Sequence, residues 1–340
     1  MVRVVLPSIL TAISSRSKNW RPKNDPQAPV HGASAWTERF VTEVADVKLP
    51  PFTLHRPSST SAATELLHEL GDDGVIYCGG TELLLVMKLG LSDFGHLVDI
   101  KRIPGLDSIS VTGDILRIGA AATHRAIEMN QEIGERWPGL VMMTRQVANV
   151  RVRSVGTLGG NLAFADPASD PATFLLALDA SIEIRGVDGV LRRVSVGDFH
   201  VSAYQTVLRS AELIEAILVP APVDGTMVVH ERIRFHERPA VTVTVAGTAK
   251  DGRVSDVRVS VGSVGPVPIR VAEAEAGLRD VESGSLELAL KGAAEATEAV
   301  VEPIGDLNGS VEYKRHLAGI LVGRAAGRCL RQILDVSAGT

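Results

Sequence analysis

The sequence predicts an α+β fold in two domains, and three observations support this prediction. The chain has 340 residues, whereas single domains usually contain roughly 100 to 200. Short segments rich in β-branched residues mix with amphipathic helical segments. The segment PAPVDG at 220–225 carries the clearest boundary signal. We therefore predict one domain over 51–222 and a smaller α+β domain over 223–335.

The first domain is predicted to open with a helix over 61–70 and a short buried strand over 75–77, which breaks at Gly79-Gly80. A second helix follows, for which Thr81 is the expected N-cap. Further strands are predicted at 96–100, 108–111 and 115–118. The Pro-Gly and Gly-Asp turns between them favour an antiparallel sheet over repeated βαβ units. Helices are then predicted at 125–136 and 140–147.

The pair Asp170-Pro171 predicts the start of another helix, with Asp170 as its N-cap and Pro171 in its first position. Strands near 181–185 and 212–219 complete this domain. In the second domain, alternating apolar residues predict strands at 228–235, 241–248 and 254–261. Segments rich in Ala and Glu predict helices within 268–301 and 311–334.

Residues 1–50 differ from the rest, because basic residues are interleaved with prolines and periodicity is weak. The apolar segment 4–13 is similar to a short signal-peptide core, but Pro7 interrupts it and no clear cleavage site follows. We favour an N-terminal extension that is a candidate for disorder, either a tail or the result of a misassigned start codon.

Composition excludes several classes of function. A net charge of -5 and an aromatic content of 4% do not favour nucleic-acid binding. Two widely separated cysteines cannot assemble a zinc site or an iron-sulfur cluster, and the apolar runs are too short to span a bilayer. No histidine spacing suggests a metal site, and no motif suggests a nucleophile. We therefore expect a soluble protein without metal ligands or catalytic residues of its own.

Two glycine pairs stand out, in CGGTELLLVMK at 78–88 and in RSVGTLGGNLAFADPASD at 153–170. A dinucleotide pyrophosphate needs several backbone N–H groups that side chains do not obstruct, and glycine at a turn allows this. Neither segment matches the Rossmann or P-loop glycine pattern, and either pair alone is typical of an ordinary tight turn.

Together, the two segments resemble the signature of the FAD-binding subunits of the xanthine dehydrogenase and carbon monoxide dehydrogenase family. Supporting segments occur in order between and beyond them: LVDI at 97–100, LRIGAAATH at 116–124 and VGPVPIR at 264–270. The resemblance covers about residues 52 to 335.

The resemblance implies a two-subdomain FAD-binding domain of the vanillyl-alcohol-oxidase (PCMH) type, followed by a small α+β domain like that of the CO dehydrogenase flavoprotein. It implies a cytoplasmic FAD-dependent oxidoreductase subunit that passes electrons from [2Fe-2S] clusters to an external acceptor. The clusters would lie on a small partner subunit and a molybdopterin cofactor on a large one, in a dimer of heterotrimers.

The resemblance also assigns cofactor-binding residues. On one side of the pyrophosphate it places Gly79, Gly80, Thr81, Glu82 and Leu83, and on the other Thr157, Gly159, Gly160 and Asn161. Ala121 and Thr123 match positions that line the flavin, and Asp170 matches a carboxylate near the ribitol or ribose hydroxyls. Asp170 is equally well explained as a helix cap. Glu82 is also explained as a first-turn acid that the helix dipole favours.

The second domain departs from the family pattern, which often has an aromatic-x-Lys pair on an early strand. This chain has His230-Glu231-Arg232 at the corresponding place. His230 would stack on or hydrogen-bond the isoalloxazine, and Arg232 would supply positive charge. The alternative is a surface strand with ordinary polar residues.

A basic cluster, Arg145, Arg151 and Arg153, precedes the second glycine pair. It could steer an anion or dock an acidic partner, although a surface salt-bridge network is favoured.

Two rival functions remain open at this point. One is a free-standing FAD oxidoreductase of the same fold, against which no substrate-binding constellation or catalytic base is found. The other is a scaffold that no longer holds flavin, against which the intact glycines argue.

Overall fold

The computed structural model of the chain describes residues 48–235 and 238–337. The predicted extension over 1–50 lies almost entirely outside the described residues. The described part mixes helices with antiparallel and parallel sheets, so the α+β prediction is confirmed.

The first region, up to residue 153, contains five strands and six helices among the residues described. The strands are β1 (Thr53–His55), β2 (Gly74–Tyr77), β3 (His96–Asp99), β4 (Ile109–Thr112) and β5 (Ile115–Gly119). The helices are α1 (Thr60–Leu70), α2 (Leu83–Lys88), α3 (His124–Met129), α4 (Gln131–Arg136), α5 (Pro138–Gln146) and α6 (Val150–Arg153). A single 3-10 turn, Gly71–Asp73, joins α1 to β2.

The next region, up to residue 220, contains three short helices and five strands, of which β8 and β9 form a separate two-stranded sheet. The helices are α7 (Leu158–Phe164), α8 (Asp170–Ala177) and α9 (Val196–Phe199). The strands are β6 (Ser181–Arg185), β7 (Leu191–Ser195), β8 (His200–Ser202), β9 (Gln205–Thr206) and β10 (Leu213–Pro220).

The last region is a sheet covered by helices. Its strands are β11 (Met227–Arg234), β12 (Pro239–Lys250), β13 (Arg253–Gly262) and β14 (Ile269–Arg270). Its helices are α10 (Ala272–Leu278), α11 (Leu286–Val300) and α12 (Val311–Ser337), with a 3-10 turn at Ser283–Ser285.

Strand order corrects one expectation from the sequence. The segment at 96–100 was expected in an antiparallel sheet, but β3 pairs in parallel with both β1 and β2 in a three-stranded sheet. Helix α1 connects β1 to β2, and parallel strands require such a crossover. The tight turn that suggested a hairpin joins β4 to β5, which do pair antiparallel. These two strands belong to a separate five-stranded sheet of order β4-β5-β10-β6-β7.

Two apolar cores are buried in the described chain. One contains side chains of the five-stranded sheet and of helices α1, α3 to α5 and α7 to α9, including the fully buried Trp137, Phe174 and Phe199. The other lies between the sheet β11-β12-β13-β14 and helices α10, α11 and α12. Burying this apolar surface is the main term that stabilises each region.

Helix α8 connects the two cores, because its residues belong to the first core and it packs against β12 and β13 of the last sheet. This contact is polar at its centre. Thr173 Oγ1 lies 3.0 Å from Thr242 Oγ1, and Ser260 Oγ donates to the Thr173 carbonyl at 2.7 Å. Hydroxyl pairs satisfy one another here, which is what a buried polar contact requires.

Candidate functional site

The first glycine pair forms the connection between β2 and α2. Gly80 has a φ of +71°, and a Cβ there would stand 2.5 Å from Tyr77 Cε2, so both backbone conformation and space require glycine. Helix α2 begins at Leu83, and its N-cap is Glu82 without a side-chain hydrogen bond. The expectation that Thr81 caps this helix is therefore wrong.

This geometry leaves three backbone N–H groups free to donate hydrogen bonds. The N–H groups of Gly80, Thr81 and Glu82 donate no hydrogen bond to any residue that the structure describes. Helix N-termini leave such groups unsatisfied, and anions bind there. The first glycine segment, 79–83, can therefore donate hydrogen bonds to a negatively charged group.

The second glycine pair lies in the first turn of α7, not in a turn between elements. Thr157 is the N-cap, and its Oγ1 accepts from the Gly160 N–H at 3.1 Å. The N–H groups of Leu158 and Gly159 donate to the carbonyls of Ala122 and Ala120, both at 3.1 Å. The second glycine segment, 157–161, therefore offers few free backbone donors.

The two glycines of this helix have different reasons to be glycine. Gly159 is buried, and a Cβ on it would stand 2.6 Å from the Ala120 carbonyl oxygen. Gly160 is exposed, and a Cβ on it would meet only Thr157 Oγ1, at 2.9 Å. Position 159 is glycine because the Ala120 backbone leaves no room for a side chain. At Gly160, the lack of a side chain leaves the backbone of α7 accessible from solvent.

Asn161 adds a side-chain donor beside Gly160. Its Oδ1 accepts from Ser169 Oγ at 2.7 Å. That bond orients the side-chain amide, whose Nδ2 has no hydrogen bond to any described residue.

The two glycine segments are in direct contact. A Cβ on Gly79 would stand 2.5 Å from the Val155 carbonyl oxygen and 2.8 Å from Gly156 Cα. The buried Cys78 thiol also interacts with the Thr157 hydroxyl, while burial raises the pKa of this thiol above its usual value. The free donors of the first segment and the accessible backbone of the second therefore belong to one place on the surface.

Ala121 and Thr123, the expected flavin-lining residues, lie at the same place. Ala121 is buried, and Thr123 forms an isolated β-bridge with Thr157. The Thr123 hydroxyl accepts from the Ala126 N–H at 3.0 Å and so caps α3.

His124, next to Thr123, is a buried histidine that the sequence did not identify. It is 3% exposed, and its Nδ1 has no hydrogen-bond partner within the described chain. Burial, and secondarily the nearby Arg153 charge, lowers the pKa of His124 to about 4. The ring is therefore neutral at physiological pH.

Asp170 is not the N-cap that the sequence predicted. The N-cap of α8 is Ser169, without a side-chain hydrogen bond, and Asp170 is the first helical residue. Its carboxylate instead accepts from Arg232 Nη1 at 2.5 Å, and its Oδ1 lies 3.4 Å from His230 Nε2.

His230 and Arg232 do not lie on an exposed strand surface, which was the alternative interpretation. Their side chains are 2% and 9% exposed. His230 Nδ1 also lies 2.8 Å from Thr244 Oγ1. The structure thus brings Asp170, His230 and Arg232 together in one buried cluster between α8 and β11.

Arg238 is a second residue that the sequence analysis missed. Its guanidinium donates to Glu82 Oε2 at 3.1 Å and also pairs with Asp166. It therefore links the start of β12 to the first glycine segment and to the end of α7. Nothing in the sequence distinguishes it from other surface arginines, because its two partners lie 156 and 72 positions away.

The arginines before the second glycine segment mostly form the salt-bridge network that was favoured. Glu128 lies 3.0 Å from Arg153, 2.9 Å from Arg125 and 3.9 Å from Arg145. Arg151 is exposed and forms no ion pair within the described residues.

A cavity of about 430 Å³, open to solvent, has Arg232 in its wall. It is lined by Arg145, Gln146, Ala148, Arg232 and Arg234. Because Arg232 also contacts Asp170, the cavity adjoins the buried cluster. None of its lining residues belongs to either glycine segment.

Two other features are absent from the described part of the chain. There, no helix is both long and apolar enough to cross a membrane. Within the same residues, no group of three or more His, Cys, Asp or Glu side chains could hold a metal ion.

Comparison with known families gives two matches. The FAD binding domain in molybdopterin dehydrogenase matches residues 50–222. The CO dehydrogenase flavoprotein C-terminal domain matches residues 234–329. The expected fold class, a FAD-binding domain followed by a C-terminal domain of this flavoprotein type, is confirmed.

Individual relatives agree with these matches. The carbon monoxide dehydrogenase medium chain of Hydrogenophaga pseudoflava is 33% identical over 281 residues, which cover 81% of this chain and 96% of the relative. The nicotine 6-hydroxylase medium subunit of Paenarthrobacter nicotinovorans is 33% identical over 282 residues, covering 82% and 97%. Both names denote one subunit of a larger enzyme.

Solved structures share the architecture. A carbon monoxide dehydrogenase from Hydrogenophaga pseudoflava contains a chain that superposes with a TM-score of 0.80 at 32% identity, covering 84% of this chain and 99% of that chain. A chain of quinoline 2-oxidoreductase from Pseudomonas putida 86 gives a TM-score of 0.78 at 25% identity, covering 84% and 99%.

Proposed function

Because this chain belongs to the FAD-binding medium subunits of molybdenum hydroxylases, we propose that its two glycine segments hold the FAD pyrophosphate between them. FAD bound there supplies redox chemistry, since it exchanges electrons singly or in pairs. The protein contributes binding, orientation and charge.

The contact between Gly79 and Val155–Gly156 is the observation that carries this proposal. It joins the free N–H groups of segment 79–83 to the accessible backbone at Gly160 in one site. Donors for an anion and an approach without side chains are the two requirements of a pyrophosphate site. The residues present therefore fit the phosphate end of FAD.

Each predicted residue has a role in this proposal. Gly80, Thr81 and Glu82 donate backbone hydrogen bonds, and Leu83 starts the helix that orients them. Thr157, Gly159 and Gly160 shape the opposite wall, and the Asn161 amide donates from it. Ala121 and Thr123 line the space between the segments.

The buried cluster of Asp170, His230 and Arg232 would serve the other end of the cofactor. An Asp170 carboxylate can accept hydrogen bonds from ribitol or ribose hydroxyls. Arg232 would place positive charge near the isoalloxazine, where negative charge develops on reduction. His230 is held between Asp170 and Thr244, so it would fix the orientation of the Asp170 carboxylate. It would contact the isoalloxazine ring only if the cluster rearranges.

We further propose the assembly that the family implies. A small subunit with [2Fe-2S] clusters would deliver electrons, and a large subunit with molybdopterin would oxidise the substrate, in a dimer of heterotrimers in the cytoplasm. The chain has two cysteines, whereas a [2Fe-2S] cluster is held by four thiolates, which supports clusters on other chains. The proposed boundaries are 51–222 and 223–335, supported by the two apolar cores.

Cofactor analysis of the native complex tests this function. We expect this chain to co-purify with a cysteine-rich chain and a larger one, with FAD, iron and molybdenum all present. FAD without iron or molybdenum, together with turnover of a small substrate by this chain alone, would instead support a free-standing oxidoreductase. Absence of absorbance near 450 nm after incubation with FAD would contradict flavin binding altogether.

A further inference from the structure

The cavity beside Arg232 is strongly cationic. Three of its five lining residues are arginines, Arg145, Arg232 and Arg234, and none is acidic. The other two, Gln146 and Ala148, carry no charge.

The positive charge in this cavity is only partly neutralised. Arg232 is paired with Asp170. Arg145 stands 3.9 Å from Glu128, a carboxylate that already binds Arg125 and Arg153 at 2.9 and 3.0 Å. Arg234 forms no ion pair with any residue in 48–235 or 238–337. Within the described residues, Arg234 therefore has no ion-pair partner, and Arg145 shares its one carboxylate with two closer arginines.

FAD does not account for this charge. Its formal negative charges are on the pyrophosphate, which the proposed function places at the two glycine segments. The cavity contains no residue of those segments, and only Arg232 belongs to both the proposed flavin site and the cavity. The FAD pyrophosphate, placed there, therefore neutralises neither Arg145 nor Arg234.

We propose that this cavity binds a second ligand, a small molecule that carries a phosphate or carboxylate group, held by Arg145 and Arg234. A guanidinium presents two parallel donors that match either group, and Gln146 can add an amide hydrogen bond. This inference rests on the proposed function. It gives the ligand a chemical class, a small anion bound next to Arg232 of the proposed flavin site.

Calorimetric titration of the FAD-loaded full chain tests the cavity, with inorganic pyrophosphate and citrate as the phosphate and carboxylate probes. We expect saturable binding of at least one probe that weakens as salt is raised. Arg145→Gln and Arg234→Gln should each weaken it about tenfold, since each removes one charge-assisted contact. Arg193→Gln is the matched control, because Arg193 is 62% exposed and pairs with Glu183 away from the cavity.

The outcomes separate this inference from the proposed function. Full FAD absorbance without probe binding, or equal binding by Arg234→Gln, would overturn the cavity proposal and leave flavin binding intact. Loss of probe binding in the native complex would also overturn it, because a partner surface would then occupy the cavity. A chain that takes up no FAD contradicts the proposed function, and titration of that flavin-free chain still tests whether Arg145 and Arg234 bind the probe.

Discussion

Gly79 packs directly against the carbonyl of Val155: a Cβ on Gly79 would stand 2.5 Å from that oxygen. These residues are 76 positions apart in the chain, yet their contact brings the two glycine segments together. Backbone cannot move away as a flexible side chain can, so this contact admits no side chain at Gly79.

Gly79→Ala should therefore separate the two segments. We expect FAD affinity to fall at least about tenfold and the free energy of unfolding to fall by about 1–3 kcal/mol, the usual range for overpacking. Flavin titration and urea denaturation measure the two effects.

Gly134→Ala is the matched control, because Gly134 lies in α4 and a Cβ there meets nothing within 4 Å. It should leave FAD binding unchanged and stabilise the helix by roughly 0.5–1 kcal/mol. Equal FAD affinity in both variants would show that the contact at Gly79 is not part of the flavin site.

The buried ion pair between Asp170 and Arg232 makes a second prediction. Asp170→Asn leaves Arg232, 9% exposed, without its carboxylate partner. We expect a loss of about 3–5 kcal/mol in the free energy of unfolding, because an uncompensated buried charge is costly. The double variant Asp170→Asn/Arg232→Gln should recover part of that loss, and additive losses would contradict the pairing.

Arg238 should matter for cofactor affinity more than for stability. Its side chain is 44% exposed, so Arg238→Gln should lower the free energy of unfolding by less than about 1 kcal/mol. FAD affinity should fall about three- to tenfold, because Glu82 and Asp166 would then repel the pyrophosphate without compensation. Adding Glu82→Gln should restore part of the affinity in a flavin titration, and no restoration would contradict this role.

His124 predicts a pH dependence of stability. Its folded-state pKa of about 4 lies below the unfolded value near 6.5, so between these values the unfolded chain binds more protons. The stabilising contribution is complete above pH 6.5 and is lost as pH falls towards 4, up to about 3 kcal/mol in total.

Urea denaturation at pH 5 and pH 7.5 measures this effect as the difference between the wild-type chain and His124→Gln. The difference isolates His124 from other groups that titrate below neutral pH, such as His200, whose pKa burial also lowers. The variant should lose less stability on acidification than the wild type. Identical pH dependence in the two proteins would contradict a neutral buried His124.

Local sequence patterns predicted most elements, because periodicity and turn chemistry are local properties. The alternating valines and threonines at 241–248 gave a strand that the structure extends to Pro239–Lys250. Pairing partners are not local, which is why β3 was assigned to the wrong kind of sheet. The turn residues predicted antiparallel pairing correctly for β4 and β5 only.

Caps were mispredicted for a related reason. Thr81 and Asp170 both have side chains suited to an N-cap, yet the helices begin at Leu83 and Asp170. Long-range contacts decide these cases, since the Asp170 carboxylate is used by Arg232 and His230. The resemblance brought Asp170 and Arg232 into one site, but only the fold shows that they bind each other.

Residues recruited by tertiary contact alone could not be found from the sequence. Arg238 and Arg234 resemble ordinary surface arginines, and His124 is one of nine histidines. Their roles depend on how deeply the fold buries each side chain and on which residues it contacts, and residue type alone predicts neither.

Flavin content of Gly160→Val tests whether the exposed glycine of α7 faces the FAD pyrophosphate. Gly160 is exposed, and only Thr157 Oγ1 stands near an added Cβ, so the chain should fold with a circular dichroism spectrum like that of the wild type. A branched side chain where backbone must approach phosphate should abolish the absorbance near 450 nm. A folded Gly160→Val chain with normal FAD content would contradict the proposed pyrophosphate site.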